Sequence, residues 1–411
     1  MTESIRGFRD IFPPESSHFA RLEAIARGVF ACHAFGELRI PTVERHELFV
    51  KSTGETTDVV EKEMYAFEDA GGRRLALRPE GTPGVARACI QHNLFAVNPR
   101  QKLFYIGSMY RAERPQKGRY REFEQIGAEY IGNASPSADA ETIIMLEQIL
   151  RKAGLDKFSV ELNSLGCAQC RPAYRAALLA YLHAHETDLC DNCRARIDKN
   201  PLRALDCKLD GPKLSETAPK QELCAACSEH FDGVLAYLRD AGIECAVNRG
   251  MVRGLDYYTR TVFEFKTAAL GSQDAIAGGG RYDNLLQSMG GPDVPAVGWA
   301  MGVDRAVSII SELVRLEPGL AVYVISMGGP ADRPAFKLLT GLRAAGLSAD
   351  GGDFSRSFKS QLRAAGKSGA KFAAIIGENE VARGVCTLKN LETGEQRQVR
   401  QDEIAGILQT A

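Results

Sequence analysis

Carboxylate and amide side chains alternate with small residues in a strand-like segment that follows an arginine-rich loop. Residues 103–131 carry two runs of strand character on either side of the loop 114–119, a pattern that predicts an antiparallel hairpin. Because side chains alternate between the two faces of a strand, Gln125, Gly127 and Glu129 share one face. That face offers an amide, a bare backbone and a carboxylate beside a basic loop, which suits a polar, cationic small molecule next to a phosphate. A salt-bridged surface hairpin is the alternative interpretation of such mixed charges.

A second candidate for recognising a cation is the turn in LRPEGTPGVARA (77–88). Glu80 and Thr82 come just before a predicted helix start, and Pro79 and Gly81 hold the backbone in a turn. A carboxylate and a hydroxyl exposed there could bind an ammonium group. The alternative is an ordinary capped helix, in which such side chains satisfy backbone N–H groups.

The hairpin also resembles a known protein family. An arginine at the end of a strand, a basic loop and an F-x-Q strand are similar to motif 2 of class II aminoacyl-tRNA synthetases, and ERPQKGRYREF resembles the histidyl-tRNA synthetase version. Further segments resemble the same family, namely motif 1 in 35–69, LRPEGT (77–82), RGLDYYTRTVFEF (253–265), GGGRYDNLL (278–286) and, as motif 3, AVGWAMGVDRAVS (296–308). The resemblance spans residues 6–411, and the chain is identified as a member of the bacterial-type histidyl-tRNA synthetases of class IIa.

The resemblance implies roles for individual residues. Histidine is bound by Glu80, Thr82, Gln125, Glu129, Arg253, Tyr257 and Tyr258, with Glu80 and Thr82 at the amino group and Glu129 and Tyr258 at the imidazole. ATP is bound by Arg111, Glu113, Arg119 and Arg305, and the catalytic cations are Arg253, Arg111 and Arg305. Arg114 and Gln116 meet the acceptor end of tRNA. Attack of a carboxylate on phosphorus brings two anions together, so fixed cations can stabilise the transition state.

The family implies an enzyme, a histidine–tRNA ligase that uses ATP with Mg²⁺. The carboxylate of L-histidine attacks the α-phosphate, pyrophosphate leaves, and the adenylate passes its aminoacyl group to the 3′-terminal ribose of tRNA(His). Motif 1 implies a homodimer. The alternative is the catalytically inactive, synthetase-like regulatory subunit of ATP phosphoribosyltransferase in histidine biosynthesis. That paralogue typically loses the histidine signature and the C-terminal domain, whereas this chain keeps both, together with Arg111, Arg253 and Arg305.

Two positions depart from the family pattern. Asp304 stands where relatives usually show Glu, and the shorter acid keeps the charge. Glu124 stands where relatives often carry His. The alternation of the strand puts Glu124 on the face opposite Gln125 and Glu129, so we expect histidine recognition to be undisturbed.

Small residues alternate along the motif 3 strand. Gly298, Ala300 and Gly302 leave room for a flat purine and its phosphates. Arg305 follows and supplies a planar guanidinium that could stack on adenine or reach the γ-phosphate.

The composition indicates a water-soluble globular protein. A chain of 411 residues can form two or three domains with a large core. The net charge is −1, so any nucleic-acid binding must depend on local patches. The N-terminus lacks the apolar segment of a signal peptide, and no run approaches about 18 consecutive apolar residues. We therefore expect a cytoplasmic protein that does not contact a membrane.

The patterns along the chain predict an α+β fold in two domains. Residues 1–320 are expected to form a class II synthetase catalytic core with an antiparallel sheet, interrupted at 167–240 by a helical, cysteine-rich insertion. Residues 321–411 alternate strands and helices and resemble the α/β anticodon-binding domain of class IIa synthetases. Basic residues there recur at helical spacing, namely Arg356, Lys359, Arg363, Lys367 and Lys371. A solvated helix face is the usual explanation of such a stripe, but the domain resemblance favours contact with tRNA.

Seven cysteines fall within 61 residues of the insertion, namely Cys167, Cys170, Cys190, Cys193, Cys207, Cys224 and Cys227. Six of them form three C-x₂-C pairs, a spacing typical of zinc sites in a reducing compartment. Such a zinc would be structural, because no nearby Asp or Glu has an evident role on a metal-bound water. Buried free thiols are the alternative, since the matching insertion in bacterial members of the family is not generally metal-dependent. The sequence leaves open which four thiols would bind.

Overall fold

The computed structural model describes residues 2–54, 57–115, 118–205, 207, 209–270, 274–316 and 319–410. The chain divides into two compact units, Met1–Val314 and Arg315–Ala411. The domain boundary expected from the sequence, between 320 and 321, lies a few residues further along the chain.

The first unit contains a large sheet, a small sheet and the helices around them. Its strands are β1 (Gly36–Glu37), β2 (Val43–Arg45), β3 (Ala66–Glu68), β4 (Arg74–Leu77), β5 (Gln101–Tyr110), β6 (Glu122–Ile131), β7 (Ser159–Ser164), β8 (Ala246–Val247), β9 (Thr259–Lys266), β10 (Ala275–Arg281) and β11 (Ala296–Gly302). Its helices are α1 (Glu15–Cys32), α2 (His46–Thr53), α3 (Thr82–Gln91), α4 (Leu94–Val97), α5 (Pro136–Lys152), α6 (Arg171–Ala184), α7 (Asp191–Arg194), α8 (Gly211–Thr217), α9 (Ala225–Asp240), α10 (Leu285–Ser288) and α11 (Val303–Leu313).

Among the described residues, eight strands form the large sheet in the order β1-β5-β6-β11-β10-β9-β7-β8. The outermost pairs, β1–β5 and β7–β8, are parallel, and every pair between them is antiparallel. Helices α1, α5 and α11 cover one face, where Phe30, Trp299 and Ile310 belong to one buried cluster. The opposite face carries a second, smaller cluster that includes residues of α3. The predicted antiparallel-sheet core is confirmed.

The segment expected to be a single insertion, 167–240, is divided between two cores. Helices α6 to α8 surround their own apolar cluster, which includes Leu178, Leu182 and Leu214. Helix α9 instead contributes Phe231 and Val234 to the core beneath the large sheet. It therefore packs with the catalytic unit, unlike the prediction, because its apolar stripe fits the face of α5.

The second unit contains β12 (Val322–Ser326), β13 (Ala349–Gly351), β14 (Phe372–Ile376), β15 (Val385–Asn390) and β16 (Gln396–Arg400). It also contains α12 (Asp332–Ala344), α13 (Phe358–Lys367), α14 (Glu378–Arg383) and α15 (Ile404–Gln409). The strand order is β13-β12-β14-β15-β16, with three parallel strands followed by an antiparallel hairpin. This arrangement confirms the predicted C-terminal α/β domain.

The basic stripe predicted in this unit is shorter than expected. Helix α13 carries Lys359, Arg363 and Lys367 at exposed positions, while Ala365 on the same helix is buried. Arg356 lies before the helix and pairs with Asp353, and Lys371 lies beyond its end. In the part of the chain that the structure describes, none of the helices combines the length and apolarity needed to cross a bilayer.

Candidate active site

A cavity of about 380 Å³ opens on the face of the large sheet that α1, α5 and α11 leave uncovered. Most of the residues selected from the sequence line it, namely Glu80, Thr82, Arg111, Glu113, Arg119, Gln125, Arg253, Tyr257, Tyr258 and Arg305. Arg114 is at an exposed position in the loop after β5, and Gln116 lies outside the described residues. Glu129 is fully buried beside the cavity.

The pairing of β5 with β6 explains how the hairpin positions its side chains. Gln125 pairs with Gly107, and Gly127 pairs with Tyr105. Ile126 and Ala128 face the core on the helix-covered side, whereas Gln125 faces the cavity. The two faces predicted from the alternation of the strand are thus confirmed.

The ring of Tyr105 occupies the space beside two glycines. A side chain at Gly81 or Gly127 would overlap with this ring. The phenol donates a hydrogen bond to Oε1 of Gln125 at 3.2 Å. Gly81 and Gly127 therefore leave room for the Tyr105 ring, and its hydroxyl holds the Gln125 side chain in place.

Glu129 lies behind the residues that line the cavity, and two hydroxyl groups of that lining form hydrogen bonds with its carboxylate. Thr82 donates a hydrogen bond to Oε1 of Glu129 at 2.6 Å, and the Tyr282 hydroxyl donates to Oε2. Both donors line the cavity. The pKa of Glu129 is raised to about 8, mainly by burial and to a smaller extent by the nearby Glu80, while the hydrogen bonds from the two hydroxyls oppose the shift.

Glu80 is the second buried carboxyl group of the cavity. Thr53 donates to its Oε1 at 2.8 Å, and the hydroxyl of Tyr257 donates to its Oε2 at 2.8 Å. Burial raises the pKa of Glu80, and the positive charge of Arg111 opposes this effect. A cation bound beside these two carboxyls would favour their ionised forms, so the pair suits a cationic ligand or N–H donors.

Arginine side chains also line this cavity. Arg111 donates through Nε to the carbonyl of Pro79 at 2.9 Å, and its guanidinium lies 5.4 Å from the centre of the Phe123 ring. Arg119 pairs with Glu113 at 2.8 Å. Arg305 donates to the carbonyl of Ala275 at 2.6 Å. Burial lowers the pKa of Arg305, and the positive charge of the nearby Arg119 lowers it as well. An anion bound beside Arg305 and Arg119 would be stabilised by both guanidinium groups.

Arg253 reaches the cavity from the segment before β9. Its guanidinium forms an ion pair with Glu264. It also lies against Gly278, where an added Cβ would come within 2.6 Å of a guanidinium nitrogen. The first glycine of GGGRY thus makes room for this arginine.

The motif 3 strand differs in part from its expected role. Ala300 and Gly302 line the cavity as expected for a purine and its phosphates. Gly298 also lines it, but the space where its side chain would be is filled by the Glu129 carboxylate. Gly298 therefore makes room for an acid on the neighbouring strand.

The two departures from the family pattern are in direct contact with each other. Asp304 pairs with Arg9 at 2.9 Å and accepts a hydrogen bond from the backbone N–H of Glu124 at 2.8 Å. Burial raises the pKa of Glu124 to about 7, and Glu23 contributes to the increase. Glu124 lines a different depression, beside Arg78, and so lies away from the cavity as predicted.

Sequence reasoning did not select Tyr282, Tyr105 or Glu264. Tyr282 occurs within the quoted segment GGGRYDNLL, and its position after a strand was the available signal. Tyr105 pairs with Gly127 on β6 and Glu264 pairs with Gly278 on β10, so their positions depend on pairings that alternation within one strand does not show. What was missing was the knowledge of which strands are neighbours.

The cysteines of the insertion form two separate groups. Cys167, Cys170, Cys224 and Cys227 form one, and Cys190, Cys193, Cys207 and Asp210 form the other. Either group could hold a metal ion. Asp210 was not selected from the sequence. It joins the second group and accepts a hydrogen bond from the N–H of Cys190.

Comparisons with known proteins give the same assignment over the whole chain. Residues 7–306 match the protein family described as histidyl-tRNA synthetase, and residues 321–411 match the anticodon binding domain. A histidine–tRNA ligase of Elusimicrobium minutum is 53% identical over 404 residues, which cover 98% of each chain. The crystal structure of apo histidyl-tRNA synthetase from S. aureus has a TM-score of 0.82 at 33% identity and covers 99% of this chain and 100% of its own.

A synthetase catalytic unit joined to an anticodon-binding domain defines an aminoacyl-tRNA synthetase, an enzyme of the ligase class. The chain belongs to the histidyl-tRNA synthetase family. The predicted family and the predicted enzyme class, histidine–tRNA ligase, are confirmed. Enzymes of this family use ATP with Mg²⁺.

The alternative assignment has weaker support. A structure titled as an ATP phosphoribosyltransferase regulatory subunit/histidyl-tRNA synthetase from Bacillus halodurans matches with a TM-score of 0.61 at 23% identity, covering 85% of this chain and 92% of its own. At that identity the match shows only a shared fold.

Proposed function

We propose that the cavity activates L-histidine with ATP and transfers it to tRNA(His), and that the sequence-derived residues have the following roles. The observation that carries the proposal is the placement of two buried carboxyls and four arginines around one cavity. Histidine supplies a cation and ring N–H groups, and ATP supplies phosphates. The two kinds of lining side chains match the two substrates.

Histidine occupies the part of the cavity near the carboxyls. Its ammonium group binds Glu80 and Thr82, and Gln125, held by Tyr105, supplies an additional polar contact. Its imidazole is recognised by Glu129 and Tyr258 through hydrogen bonds. Because Glu129 accepts from both Thr82 and Tyr282, it also fixes the orientation of these hydroxyls. A site built from buried hydrogen-bonding groups discriminates strongly against analogues that leave those groups unpaired.

ATP occupies the part of the cavity near the arginines. Arg111, Arg119 and Arg305 bind its phosphates, and Arg253 contacts both the α-phosphate and the carboxylate of histidine. The histidine carboxylate attacks the α-phosphorus, the bond to the β,γ-diphosphate breaks, and pyrophosphate leaves. The arginines stabilise the negative charge that gathers during this step. Mg²⁺ accompanies the nucleotide, and the carboxylates of Glu113 and Glu264 offer the oxygen ligands that this ion prefers.

The remaining parts of the proposal concern partners and surroundings. The loop with Arg114 and Gln116 meets the acceptor end of tRNA, and residues 321–411 bind the anticodon. The protein acts as a homodimer through the segment 35–69 and is cytoplasmic. The catalytic domain comprises 1–320 with its insertion, and structural zinc is bound by the cysteine groups.

Aminoacylation of tRNA(His) with labelled histidine tests the proposal. We expect charging that requires ATP, and that is not observed when another amino acid replaces histidine. A protein that binds histidine without charging tRNA would instead support the regulatory-subunit alternative.

A further inference from the structure

Sulfur atoms from two distant parts of the chain meet at the base of the insertion. Cys167 and Cys170 lie in the turn between β7 and α6, and Cys224 and Cys227 lie at the start of α9. The four sulfurs all lie within 4.8 Å of one another. Residues 171–223, which lie between these pairs in the chain, form the body of the insertion. The cluster therefore joins the two ends of the insertion.

The spacing of the sulfurs is that of ligands around a zinc ion. The Sγ–Sγ distances are 3.9 Å for Cys167–Cys224, 3.8 Å for Cys167–Cys170 and 3.8 Å for Cys170–Cys227. A disulfide requires about 2.0 Å, so none of these is a disulfide bond. A tetrahedron with Zn–S bonds of about 2.3 Å has edges of about 3.8 Å, which is the distance found here.

Backbone groups around the cluster also suit thiolates. The N–H of Cys167 donates to Sγ of Cys170 at 3.1 Å, and the N–H of Gln169 donates to Sγ of Cys167 at 3.4 Å. Gly166 has φ +70°, and an added Cβ would lie 2.5 Å from Sγ of Cys170. The turn is thus shaped around the sulfur, and donors aimed at a sulfur stabilise its negative charge.

A second cluster lies within the insertion itself. Cys190 and Cys207 have their sulfurs 3.7 Å apart, and Cys193 and Asp210 complete the group. The Oδ2 atom of Asp210 accepts from the N–H of Cys190 at 3.0 Å, which holds the carboxylate against the thiols. Three thiolates and one carboxylate oxygen are a full tetrahedral set for zinc.

We propose that each chain binds two structural zinc ions, one at Cys167/Cys170/Cys224/Cys227 (the base site) and one at Cys190/Cys193/Cys207/Asp210 (the distal site). Both sites are closed by four protein ligands, which is typical of a structural rather than a catalytic zinc. The distal site stabilises the small apolar core of α6 to α8, of which Cys190, Cys193 and Cys207 are members.

The base site also positions the histidine cavity, a statement that depends on the proposed function. Arg171 follows Cys170 directly, and its guanidinium donates to the carbonyl oxygen of Tyr258 at 2.9 Å. The carbonyl of Gly166 accepts from the N–H of Arg260 at 2.9 Å. A metal that fixes Cys167 and Cys170 therefore fixes the backbone on both sides of Thr259, next to the cavity residue Tyr258.

Zinc content of the full-length protein tests the two sites without relying on activity. Elemental analysis should find two zinc ions per chain in the wild type, and about one in each of Cys224→Ser and Cys207→Ser. Cys32→Ser, at an exposed position away from both clusters, should retain two. No zinc in the wild type would overturn the proposal. One zinc that only one of the two variants removes would overturn the two-site statement.

Replacement of zinc by Co²⁺ in the wild-type protein covers the case in which the variants do not fold. Thiolate-to-cobalt charge-transfer absorption should rise in proportion to added Co²⁺ until two equivalents are bound, and saturation at any other ratio would contradict two sites. For the positioning role, Cys224→Ser should raise the KM for histidine by roughly tenfold, within the range that small misplacements of a site produce, with a smaller effect on the KM for ATP. An unchanged KM for histidine in a variant that has lost one zinc would overturn that role alone.

Discussion

Glu129 lies directly across the sheet from Gly298, and its carboxylate fills the space where a side chain at position 298 would begin. The strand pairing thus connects a glycine of the motif 3 strand with the buried acid of the motif 2 strand. Oε1 and Oε2 of Glu129 accept hydrogen bonds from Thr82 and Tyr282. A side chain at position 298 should therefore displace these two hydroxyl groups in the proposed histidine site.

Gly298→Ala should therefore impair histidine activation severely. The added methyl group would displace the Glu129 carboxylate and the two hydroxyls that it orients, and misplacement by about 1 Å can cost on the order of 10² in rate. Steady-state pyrophosphate exchange measures the effect. Gly28→Ala, where an added Cβ meets nothing within 4 Å, is the matched control and should behave as wild type. Equal activity of the two variants would show that the close contact between Gly298 and Glu129 is not needed for histidine activation.

Glu129 should also make stability depend on pH. Its pKa is about 8 in the folded ligand-free protein, above the ordinary value of 4.5, so the native state binds the proton more tightly than the unfolded state does. This contribution to stability is fully present below about pH 4.5 and is lost as the pH rises through about 8. Glu129→Gln should remove this dependence, whatever the change in absolute stability.

Chemical unfolding of ligand-free protein between pH 5 and 9 provides the measurement. The difference in the free energy of unfolding between Glu129→Gln and the wild type should shift in favour of the variant as the pH rises. Glu124→Gln serves for comparison, because Glu124 has a raised pKa of about 7 away from the cavity. A pH-independent difference for Glu129→Gln would mean that Glu129 is already ionised at the lower pH.

Arg253→Ala should lower the rate of adenylate formation far more than the affinity for histidine. Loss of one donor that stabilises charge in the transition state typically costs on the order of 10²–10³ in rate. Rapid-quench measurement of a single turnover separates that step from binding. Arg400→Ala, on the exposed C-terminal hairpin, is the control and should leave adenylate formation unchanged. A near-normal rate in Arg253→Ala would remove this residue from the mechanism.

The basic side of α13 should matter for tRNA and not for adenylate formation. Replacing Lys359, Arg363 and Lys367 together by Ala should reduce the apparent affinity for tRNA by on the order of tenfold and make its salt dependence shallower, since fewer phosphate contacts release fewer counterions. Charging and pyrophosphate exchange are compared on the same preparation. Loss of both reactions would indicate a folding defect, and loss of neither would exclude α13 from the tRNA interface.

Local pattern was sufficient to predict which residues share a face. The alternation along β6 placed Gln125 toward the cavity and Glu124 away from it, because that property depends only on neighbours in sequence. The depth of Glu129 could not be predicted in this way. It depends on Tyr282 and Gly298, which follow from the order of strands in the sheet and lie more than 150 residues away in the chain.

The same distinction explains the insertion. The C-x₂-C pairs were evident from spacing, but their division into two groups was not, because Cys167 and Cys224 are 57 residues apart in the chain and their contact is tertiary. The packing of α9 on α5 was also missed, since an apolar helical stripe does not reveal which core it covers. In both cases the missing information was tertiary.

The central claim, that one cavity joins histidine to ATP, is tested most directly by pyrophosphate–ATP exchange with the purified full-length chain. The account predicts rapid incorporation of labelled pyrophosphate into ATP that requires histidine and Mg²⁺ and does not require tRNA. Histidine analogues without ring nitrogens should give no exchange above background. Exchange that is absent with histidine, or equally fast with such analogues, would contradict the account.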